Sequence, residues 1–274
     1  MTNPDPDTLR DILVVASDLA KQAGELLARG YRAGSPTSRQ VRKKGAIDLV
    51  TDYDLRSEEL ICERLARVFP DHAIIAEEAH RQSERPFTWY VDPIDGTTNF
   101  AHGHPFFAVS LGLYFEDVPV VGVVHAPVLG TCWTAAAGQG AFRNSETCRV
   151  SATSDLGDAL CATGFPYDSR TSRDNNYREF VAFKRQVRDV RRCGSAAIDL
   201  CLVADGTYDL YWEQKLQAWD MSAAAVAVLE AGGRLSDYDG APADPRKGKL
   251  VASNSQLHEQ ALAVIRRASS LPAL

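Results

Sequence analysis

The chain has 274 residues, of which 45% are hydrophobic and 24% charged, and its formal net charge is -6. This length and composition are typical of a folded protein with one large or two moderate domains, and they argue against extensive disorder. The negative charge argues against nucleic acid as a partner, because binding to a phosphate backbone requires clustered Lys and Arg in excess.

The N-terminal sequence and the cysteines bear on location. The first residues lack the basic and apolar regions of a signal peptide, and no apolar run approaches the ~20 residues that span a bilayer. The six cysteines include no Cys-x-x-Cys pair and have no histidine cluster at zinc-ligand spacing near them. We therefore predict reduced thiols, a cytoplasmic protein and no membrane partner.

Two helices are predicted before the first strand. Apolar residues recur at spacings of three and four from Leu9 to Leu27, with Thr8 and Asp11 as a capping box and Gly30 at the end of the helix. A second helix is predicted over residues 54–69. Strand-like segments follow, with Gly and Pro between the later ones, which favours antiparallel neighbours joined by tight turns. These segments are residues 73–75, 88–91, 107–114, 118–125 and 132–136.

Past residue 150 the pattern changes to an alternation of strands and helices. We predict helices over residues 178–187, 195–203, 221–231 and 255–268, and strands over residues 208–212 and 234–238. No linker rich in Gly, Ser or Pro divides the chain. The prediction is therefore two closely packed halves, an N-terminal α+β half over residues 1–150 and a C-terminal α/β half over residues 151–274.

Asp92 and Asp95 follow the strand at 88–91 and precede Gly96, Thr97 and Thr98. Two carboxylates at a strand end repel each other and lose hydration, so one should take up a proton unless a cation holds both ionised. Magnesium suits such a site because it prefers oxygen ligands. Backbone N–H groups at a turn that enters a helix can bind a phosphate. Asp-Pro and Asp-Gly are also common turn pairs, so a simple turn is the alternative.

Other acids occupy comparable positions. Glu77 and Glu78 follow the strand at 73–75, and acids at the ends of two adjacent strands would concentrate charge at one sheet edge. Asp52 is predicted to cap the second helix, which would leave the side chain of Asp54 free. Asp220 begins the helix at 221–231, where it is either an N-cap or part of the same site.

These segments together resemble the inositol monophosphatase family. The similarity rests on five segments in the same order and at similar spacing: Asp-Leu-Val-Thr-Asp-Tyr-Asp at 48–54, Glu77-Glu78, Asp-Pro-Ile-Asp-Gly-Thr-Thr-Asn-Phe at 92–100, Trp219-Asp220 and Gly232-Gly233. It extends from about residue 8 to residue 265. The resemblance implies a five-layer α-β-α-β-α sandwich of the sugar phosphatase type. It also implies a magnesium-dependent, lithium-sensitive phosphomonoesterase that forms homodimers.

The resemblance further implies a metal site of two to three Mg²⁺ ions. Glu77, Asp92 and the backbone carbonyl of Ile94 would hold the first ion. Asp92 would bridge to a second ion held with Asp95 and Asp220, and a third, weaker ion would lie near Glu77. Metal ions lower the pKa of bound water and stabilise the attacking and leaving oxygens of an in-line displacement, so no covalent enzyme intermediate is required.

The remaining site residues are implied in the same way. The backbone amides of Gly96 and Thr97 would bind the phosphate, and Asp54 would hydrogen-bond to Thr97 and help to orient the attacking water. Lys43 matches a lysine on a loop near the site. The substrate pocket would be formed by Glu213 and by the segment Gly194, Ser195 and Ala196, with an exposed strand-end charge as the alternative interpretation of Glu213.

Thr98 and Asn99 favour the inositol-type enzymes, whereas relatives acting on histidinol phosphate or adenosine 3',5'-bisphosphate often have Gly-Thr-Lys there. The expected reaction is hydrolysis of inositol monophosphate, with fructose-1,6-bisphosphate and those two metabolites as alternative substrates. Ala79 stands where a residue with a side-chain hydroxyl group is common in the family, so the sequence does not predict how tightly the metal binds. A non-catalytic protein that binds divalent cations is the alternative of another class, and phosphate release with and without magnesium distinguishes the two.

Overall fold

A computed structural model of the chain describes residues 4–32, 42–43, 49–79, 82–83 and 85–269. Two helices lie at the N-terminal end, α1 (Pro6–Arg32) and α2 (Asp52–Val68). Between them, β1 (Arg42–Lys43) and β2 (Leu49–Val50) form a two-stranded antiparallel pair. Among the described residues, no helix is both long enough and apolar enough to cross a membrane.

The start and end of α1 differ from the sequence prediction. The amide of Thr8 donates a hydrogen bond of 3.2 Å to Oδ2 of Asp5, so Asp5 caps the helix and the predicted box of Thr8 and Asp11 is wrong. The helix also continues past Gly30 to Arg32. Gly30 is accommodated within the helix because the ring of Tyr53 packs against it and leaves no room for a Cβ atom.

The second helix begins two residues earlier than predicted. Thr51 is its N-cap, and Asp54 is the third helical residue and closes a capping box with Thr51. The prediction that Asp52 is the cap is therefore wrong. Val68, the last residue of the helix, is 36% exposed. The buried face instead carries polar as well as apolar side chains, namely Asp54, Ser57, Glu58, Ile61, Cys62 and Leu65.

The first large sheet has seven strands in chain order and is antiparallel apart from the parallel pair at its beginning. Its strands are β3 (Ala73–Ala76), β4 (Phe87–Asp95), β5 (Ala108–Phe115), β6 (Val118–Ala126), β7 (Thr131–Ala136), β8 (Gly140–Arg143) and β9 (Glu146–Thr147). The six-residue helix α3 (Thr97–His102) follows β4. Strands β5, β6 and β7 are antiparallel neighbours, which confirms the pairing predicted for these segments.

The second large sheet has five strands in the order β11-β10-β12-β14-β13 and mixes parallel and antiparallel pairs. Its strands are β10 (Leu160–Thr163), β11 (Asp189–Arg191), β12 (Leu210–Gln214), β13 (Arg234–Ser236) and β14 (Lys249–Ser253). The helices of this part are α4 (Tyr177–Lys184), α5 (Ala196–Ala204), α6 (Ala218–Glu230) and α7 (His258–Ser269). A short 3₁₀ helix spans Leu156–Asp158.

The elements stack in five layers. Helices α1 and α2 pack on one face of the first sheet, α5 and α6 lie between the two sheets, and α4 and α7 pack together beyond the second sheet. Three apolar clusters fill the spaces between these layers. The predicted α-β-α-β-α sandwich is therefore confirmed. The division into halves 1–150 and 151–274 stays a prediction, because the middle helices pack on both sheets.

Helix α6 approaches the first sheet unusually closely. Gly112 of β5 and Gly122 of β6 are cross-strand partners beneath it. A Cβ atom built on Gly122 would lie 2.0 Å from the carbonyl oxygen of Ala223, and one built on Gly112 would lie 2.6 Å from the amide nitrogen of Ala223. The backbone of α6 therefore contacts the strand backbone directly, and this contact fixes the distance between the helix and the sheet.

This contact predicts that Gly122→Ala is strongly destabilising. The added methyl group must push α6 away from the sheet, and overpacking of this kind costs about 3 kcal/mol of unfolding free energy. Urea denaturation measures the loss. Gly130→Ala is the control, because no heavy atom lies within 4 Å of its added Cβ. At φ +63° that substitution should cost only about 1 kcal/mol. Equal losses in the two variants would contradict the close-approach argument.

Candidate active site

The ends of β3 and β4 bring two acidic segments side by side. The two strands are parallel neighbours, with Ala76 opposite Val91. The amide of Glu77 then donates a 3.2 Å hydrogen bond to the carbonyl oxygen of Val91, so the pairing continues one residue beyond β3. Glu77 therefore lies beside Asp92 at the same edge of the sheet.

A bulge in β4 turns Asp92 and Asp95 to the same side. Side chains alternate between the two faces of a strand, so residues three apart normally point in opposite directions. Here Asp92 pairs with Ser110 and Asp95 pairs with Ala108, which means that three steps on β4 match two steps on β5. The extra residue restores a common face for both carboxylates. Oδ1 of Asp92 also accepts a 2.9 Å hydrogen bond from the amide of Ile94.

The middle helices contribute to the same place. Oδ2 of Asp95 accepts hydrogen bonds from the hydroxyl of Ser195 at 2.5 Å and from the amide of Ala197 at 2.7 Å, so the start of α5 holds this carboxylate. Asp220 lies in the first turn of α6, where its Oδ2 accepts a 2.7 Å bond from the amide of Gln217. The sequence alternative of Asp220 as the N-cap is wrong, because Gln217 occupies that position.

Asp54 is completely buried and its side chain is not free, contrary to the sequence prediction. Its Oδ2 accepts hydrogen bonds from the amide and the hydroxyl of Thr51 at 2.7 and 2.5 Å. Its Oδ1 accepts a 2.9 Å bond from the hydroxyl of Thr97, whose oxygen also lies 3.0 Å from the carbonyl oxygen of Ile94. Asp54 thus lies behind Thr97 and reaches the pocket only through that hydroxyl.

Glu58 is a structural residue of the site that the sequence analysis missed. Its two carboxylate oxygens accept hydrogen bonds from the amides of Glu78 and Ala79, at 2.6 and 2.7 Å. These bonds tie the segment after β3 to α2. The available signal was the helical spacing of Asp54, Ser57 and Glu58, which places three polar side chains on the face that also carries Ile61.

A pocket of about 660 Å³ opens where these elements meet. Its wall includes the acidic residues Glu77, Asp92, Asp95, Asp220 and Glu213, the segment Ile94, Gly96 and Thr97, and the segment Gly194, Ser195 and Ala196. Of the residues identified from the sequence, Asp54 is absent from the described wall. The backbone of Lys43 belongs to β1, but its side chain lies outside the described residues.

Burial and mutual repulsion raise the pKa values of these acids. Loss of hydration raises the pKa of Asp92, and the charges of Glu77, Asp95 and Asp220 raise it further. Burial also raises the pKa of Asp220, with a contribution from Asp95. The pKa of Asp95 rises to about 6 through burial, although hydrogen bonds from Ser195 and the start of α5 partly offset the shift. Burial likewise raises the pKa of Asp54 to about 6.

This donor set fits a hard divalent cation. Carboxylates and a backbone carbonyl are the ligands that such ions prefer, and a cation would remove the repulsion between the acids. Asp92, Asp95 and Asp220 each commit one oxygen to a hydrogen bond with the protein. In the part of the chain that is described, no three acidic, histidine or cysteine side chains are grouped closely enough to hold one ion.

Another part of the pocket wall is formed by β12 and the segment before α5. Glu213 accepts a hydrogen bond from the hydroxyl of Tyr211. Burial raises the pKa of Glu213 to about 7, while this hydrogen bond and the charge of Arg192 lower it. A Cβ atom on Gly164 would lie 2.2 Å from either carboxylate oxygen of Glu213, so Gly164 makes room for this side chain. Nδ2 of Asn99 donates to the carbonyl oxygen of Cys193 at 2.9 Å and joins this wall to α3.

Comparison with known proteins identifies the family. The sequence model described as "Inositol monophosphatase family" matches residues 8–270. The chain belongs to the inositol monophosphatase family. An inositol-1-monophosphatase of Synechocystis sp. is 47% identical over 259 residues, which cover 93% of this chain and 88% of the relative. The protein is accordingly a phosphatase that acts on small phosphate monoesters, and the family is metal-dependent.

Solved structures of the inositol monophosphatase family have the same architecture. The inositol monophosphatase of Anabaena (Nostoc) sp. PCC 7120 superposes with a TM-score of 0.87 at 36% identity, over 97% of this chain and 98% of that one. The extragenic suppressor protein suhB of Bartonella henselae gives a TM-score of 0.86 at 36% identity, over 94% and 99% of the two chains. Relatives of equal similarity therefore carry different names.

The raised pKa values predict that cations bind more weakly in acid. The carboxyls of Asp54 and Asp95, with pKa values of about 6, are largely protonated at about pH 5, and these protons oppose cation binding. We expect the increase in melting temperature caused by magnesium chloride to be larger at about pH 7.5 than at about pH 5. Calorimetric scans of EDTA-treated protein, with and without the salt, measure this increase.

The melting temperatures with and without magnesium chloride must be compared at each pH, because other groups titrate in the same pH range. Without a cation, the raised carboxyl pKa values stabilise the fold in acid, and this contribution is lost as the pH rises from about 4 to about 7. His72 and His258 act in the opposite direction, because burial lowers their pKa values to about 4. Both contributions are present in both scans. An increase in melting temperature that is equal at the two pH values would contradict the prediction.

Proposed function

We propose that the protein hydrolyses inositol monophosphate to inositol and inorganic phosphate, with Mg²⁺ as the cofactor. The observation that carries this proposal is the composition of the single pocket described above. One part of its wall carries the carboxylates of Glu77, Asp92, Asp95 and Asp220, and another part carries half-buried Glu213. The first part suits cations and a phosphate, and the second suits the hydroxyl groups of a polyol.

The metal ligands are proposed from the resemblance and from the positions of the acids. Glu77, Asp92 and the carbonyl group of Ile94 would hold one Mg²⁺, and Asp92, Asp95 and Asp220 a second, with a third weaker ion near Glu77. When bound, these ions supply charge neutralisation and a water molecule of lowered pKa. Carbonyl oxygens have two lone pairs, so Ile94 can serve as a ligand while its oxygen lies 3.0 Å from the hydroxyl of Thr97.

The pair Asp54 and Thr97 is proposed to orient the attacking water. The hydroxyl of Thr97 has one proton to donate, and the carboxylate of Asp54 lies 2.9 Å away. When ionised Asp54 accepts the hydrogen bond from this hydroxyl, the lone pairs of Thr97 Oγ1 are available to accept a hydrogen bond from water. Asp54 therefore acts through Thr97 and does not touch the substrate itself.

Phosphate is proposed to lie against the backbone amides of Gly96 and Thr97. The first amides of a helix have no acceptor within that helix, and they attract an anion. Gly96 has φ +98°, and a Cβ atom there would lie 3.0 Å from the carbonyl oxygen of Phe106, so this turn needs glycine. Lys43 stays an expectation from the resemblance. Ser195, Gly194 and Ala196 would border the alcohol part of the substrate together with Glu213.

Further properties that the sequence implies are also proposals. The resemblance implies a homodimer that is sensitive to lithium. A cytoplasmic location is proposed because all six cysteines are free thiols, which is typical of proteins from a reducing compartment.

We predict that Asp92→Asn abolishes turnover without unfolding the protein. Asp92 is the candidate ligand shared between two ions, and phosphoryl transfer depends mainly on positioning and electrostatics. The loss in kcat should be about a thousandfold or more. Phosphate release at saturating magnesium measures it, and circular dichroism checks the fold.

Glu63→Gln is the matched control for Asp92→Asn. Glu63 is an exposed acid on the outer surface of α2, away from the pocket, and its loss also removes one negative charge. This variant should keep the wild-type rate. Near-full activity of Asp92→Asn would overturn the assignment of the metal ligands.

A panel of phosphate esters tests the substrate. With magnesium, inositol 1-phosphate should give the largest kcat/KM among inositol 1-phosphate, fructose-1,6-bisphosphate, histidinol phosphate and adenosine 3',5'-bisphosphate. The physical reason is that Glu213 offers a hydrogen-bond acceptor to a hydroxylated ring and repels a second phosphate. A higher kcat/KM for one of the other esters would replace the proposed substrate. No phosphate release from any ester would favour a non-catalytic cation-binding protein.

A further inference from the structure

Asp199 is a buried carboxylate in the pocket that neither the proposed metal site nor the proposed mechanism uses. It lies in the first turn of α5 and is only 2% exposed, yet it belongs to the pocket wall together with Glu213 and Arg192. Its Oδ1 atom has no hydrogen-bond partner among the described residues. Such an atom calls for an explanation, because burying an unpaired acceptor is costly.

The neighbouring donors are already engaged elsewhere. The hydroxyl of Tyr211 donates to Glu213, and the hydroxyl of Tyr208 lies 3.7 Å from the sulfur of Cys193. Burial and the charges of Glu213 and Asp95 raise the pKa of Asp199, and the charge of the exposed side chain of Arg192 partly offsets this shift. Within the described part of the chain, no ion pair or hydrogen bond joins Arg192 to Asp199. The protein itself therefore leaves this carboxylate unsatisfied.

Other buried acids of the same molecule show what full pairing looks like. Asp209 is 6% exposed and accepts hydrogen bonds from the hydroxyl of Ser151 at 2.5 Å and from the amide of Leu160 at 2.7 Å. Glu58 binds two backbone amides, as described above. Asp199 departs from this pattern, and the departure occurs at the wall of a pocket. A ligand is therefore the natural source of the missing donor.

We propose that Asp199 binds a hydroxyl group of the alcohol part of the substrate, on the wall that it shares with Glu213, and so determines a preference for polyhydroxylated phosphate esters. This inference rests on the phosphatase function proposed above. Two acceptors on one wall match the several O–H donors of a ring polyol. A second phosphate or a carboxylate in this part of the pocket would be repelled by both acids.

The physical basis of the preference is the cost of an unpaired group. When the bound ester has hydroxyl groups, one of them pairs with Asp199. When the ester has none, Asp199 stays buried and unpaired in the complex. A site built to bind a hydroxyl discriminates strongly against an analogue that lacks it, because its own polar groups are then left without partners.

The test compares a hydroxylated and a non-hydroxylated substrate in Asp199→Leu, which removes the acceptor and keeps a similar volume. The kcat/KM for inositol 1-phosphate should fall about tenfold to a hundredfold, mainly through KM, because a substrate hydroxyl group is left without its buried hydrogen-bond partner. The kcat/KM for 4-nitrophenyl phosphate, whose alcohol part has no hydroxyl, should change less than about threefold. Asp199→Asn retains an acceptor oxygen and should give an intermediate fall.

Asp209→Asn is the matched control, because Asp209 is a buried acid outside the pocket wall. It should affect the two substrates equally, in proportion to any loss of folded protein seen in thermal unfolding. If kcat/KM falls equally for both substrates in Asp199→Leu, Asp199 has a structural role and the inference is overturned. An unchanged kcat/KM for both substrates also overturns it. If Asp199→Leu does not fold, the ratio of the two kcat/KM values in Asp199→Asn decides.

The wild-type protein separates this inference from the proposed function. Hydrolysis of 4-nitrophenyl phosphate without hydrolysis of inositol 1-phosphate would overturn the proposed substrate. Preference of the wild type for a different hydroxylated ester would also overturn that substrate, and the Asp199 variants are then judged on that ester. Preserved wild-type hydrolysis of inositol 1-phosphate with an unchanged ratio in the variants overturns the role of Asp199 alone.

Discussion

Repulsion between buried carboxylates is the constraint on which the site depends. Asp92 and Asp95 come from β4 and Asp220 comes from α6, and the charges of Asp95 and Asp220 add to the cost of ionising Asp92. The protein keeps them together by giving each carboxylate a fixed donor, from the bulge of β4, from the start of α5 and from the cap of α6. These bonds hold the acids in place but leave most of their charge without a partner. A cation would complete the balance, which fits the metal dependence of the family.

Much of the fold follows from local patterns in the sequence. The spacing of apolar residues predicted α1 and α2, and the turn residues around Gly130 predicted the antiparallel pairing of β6 and β7. The short strands β8 to β11 and β14 were not predicted, because segments of two to five residues carry few side chains and alternation is a weak signal in them. The residues at which helices begin were also predicted incorrectly. Both Asp5 and Thr51 cap helices through side-chain bonds whose choice depends on the three-dimensional turn.

The sequence was informative about the acids of the pocket because they belong to one continuous motif and to strand ends. It did not reveal what Glu58 and Asp199 contact. Glu58 matters because its carboxylate meets two amides twenty residues further along the chain, and Asp199 stands out because a donor is missing around it. Neither the presence of a distant partner nor its absence can be read from spacing alone. The resemblance to a family supplied what periodicity could not, namely that segments 92–100 and 219–220 meet.

The glycine pair beneath α6 affects how precisely Asp220 is positioned relative to the sheet. Where a helix rests on Leu or Met side chains, every rotamer change below it can shift the helix slightly. Gly112 and Gly122 remove that freedom, since main chain meets main chain and neither has alternative conformers to adopt. Ser110, on the same strand as Gly112, donates a 3.2 Å bond to the carbonyl oxygen of Trp219 and extends this rigid contact to the residue before Asp220. The spacing between Asp220 and the sheet is thus set by contact of main chain with main chain, and it does not depend on the rotamers of intervening side chains.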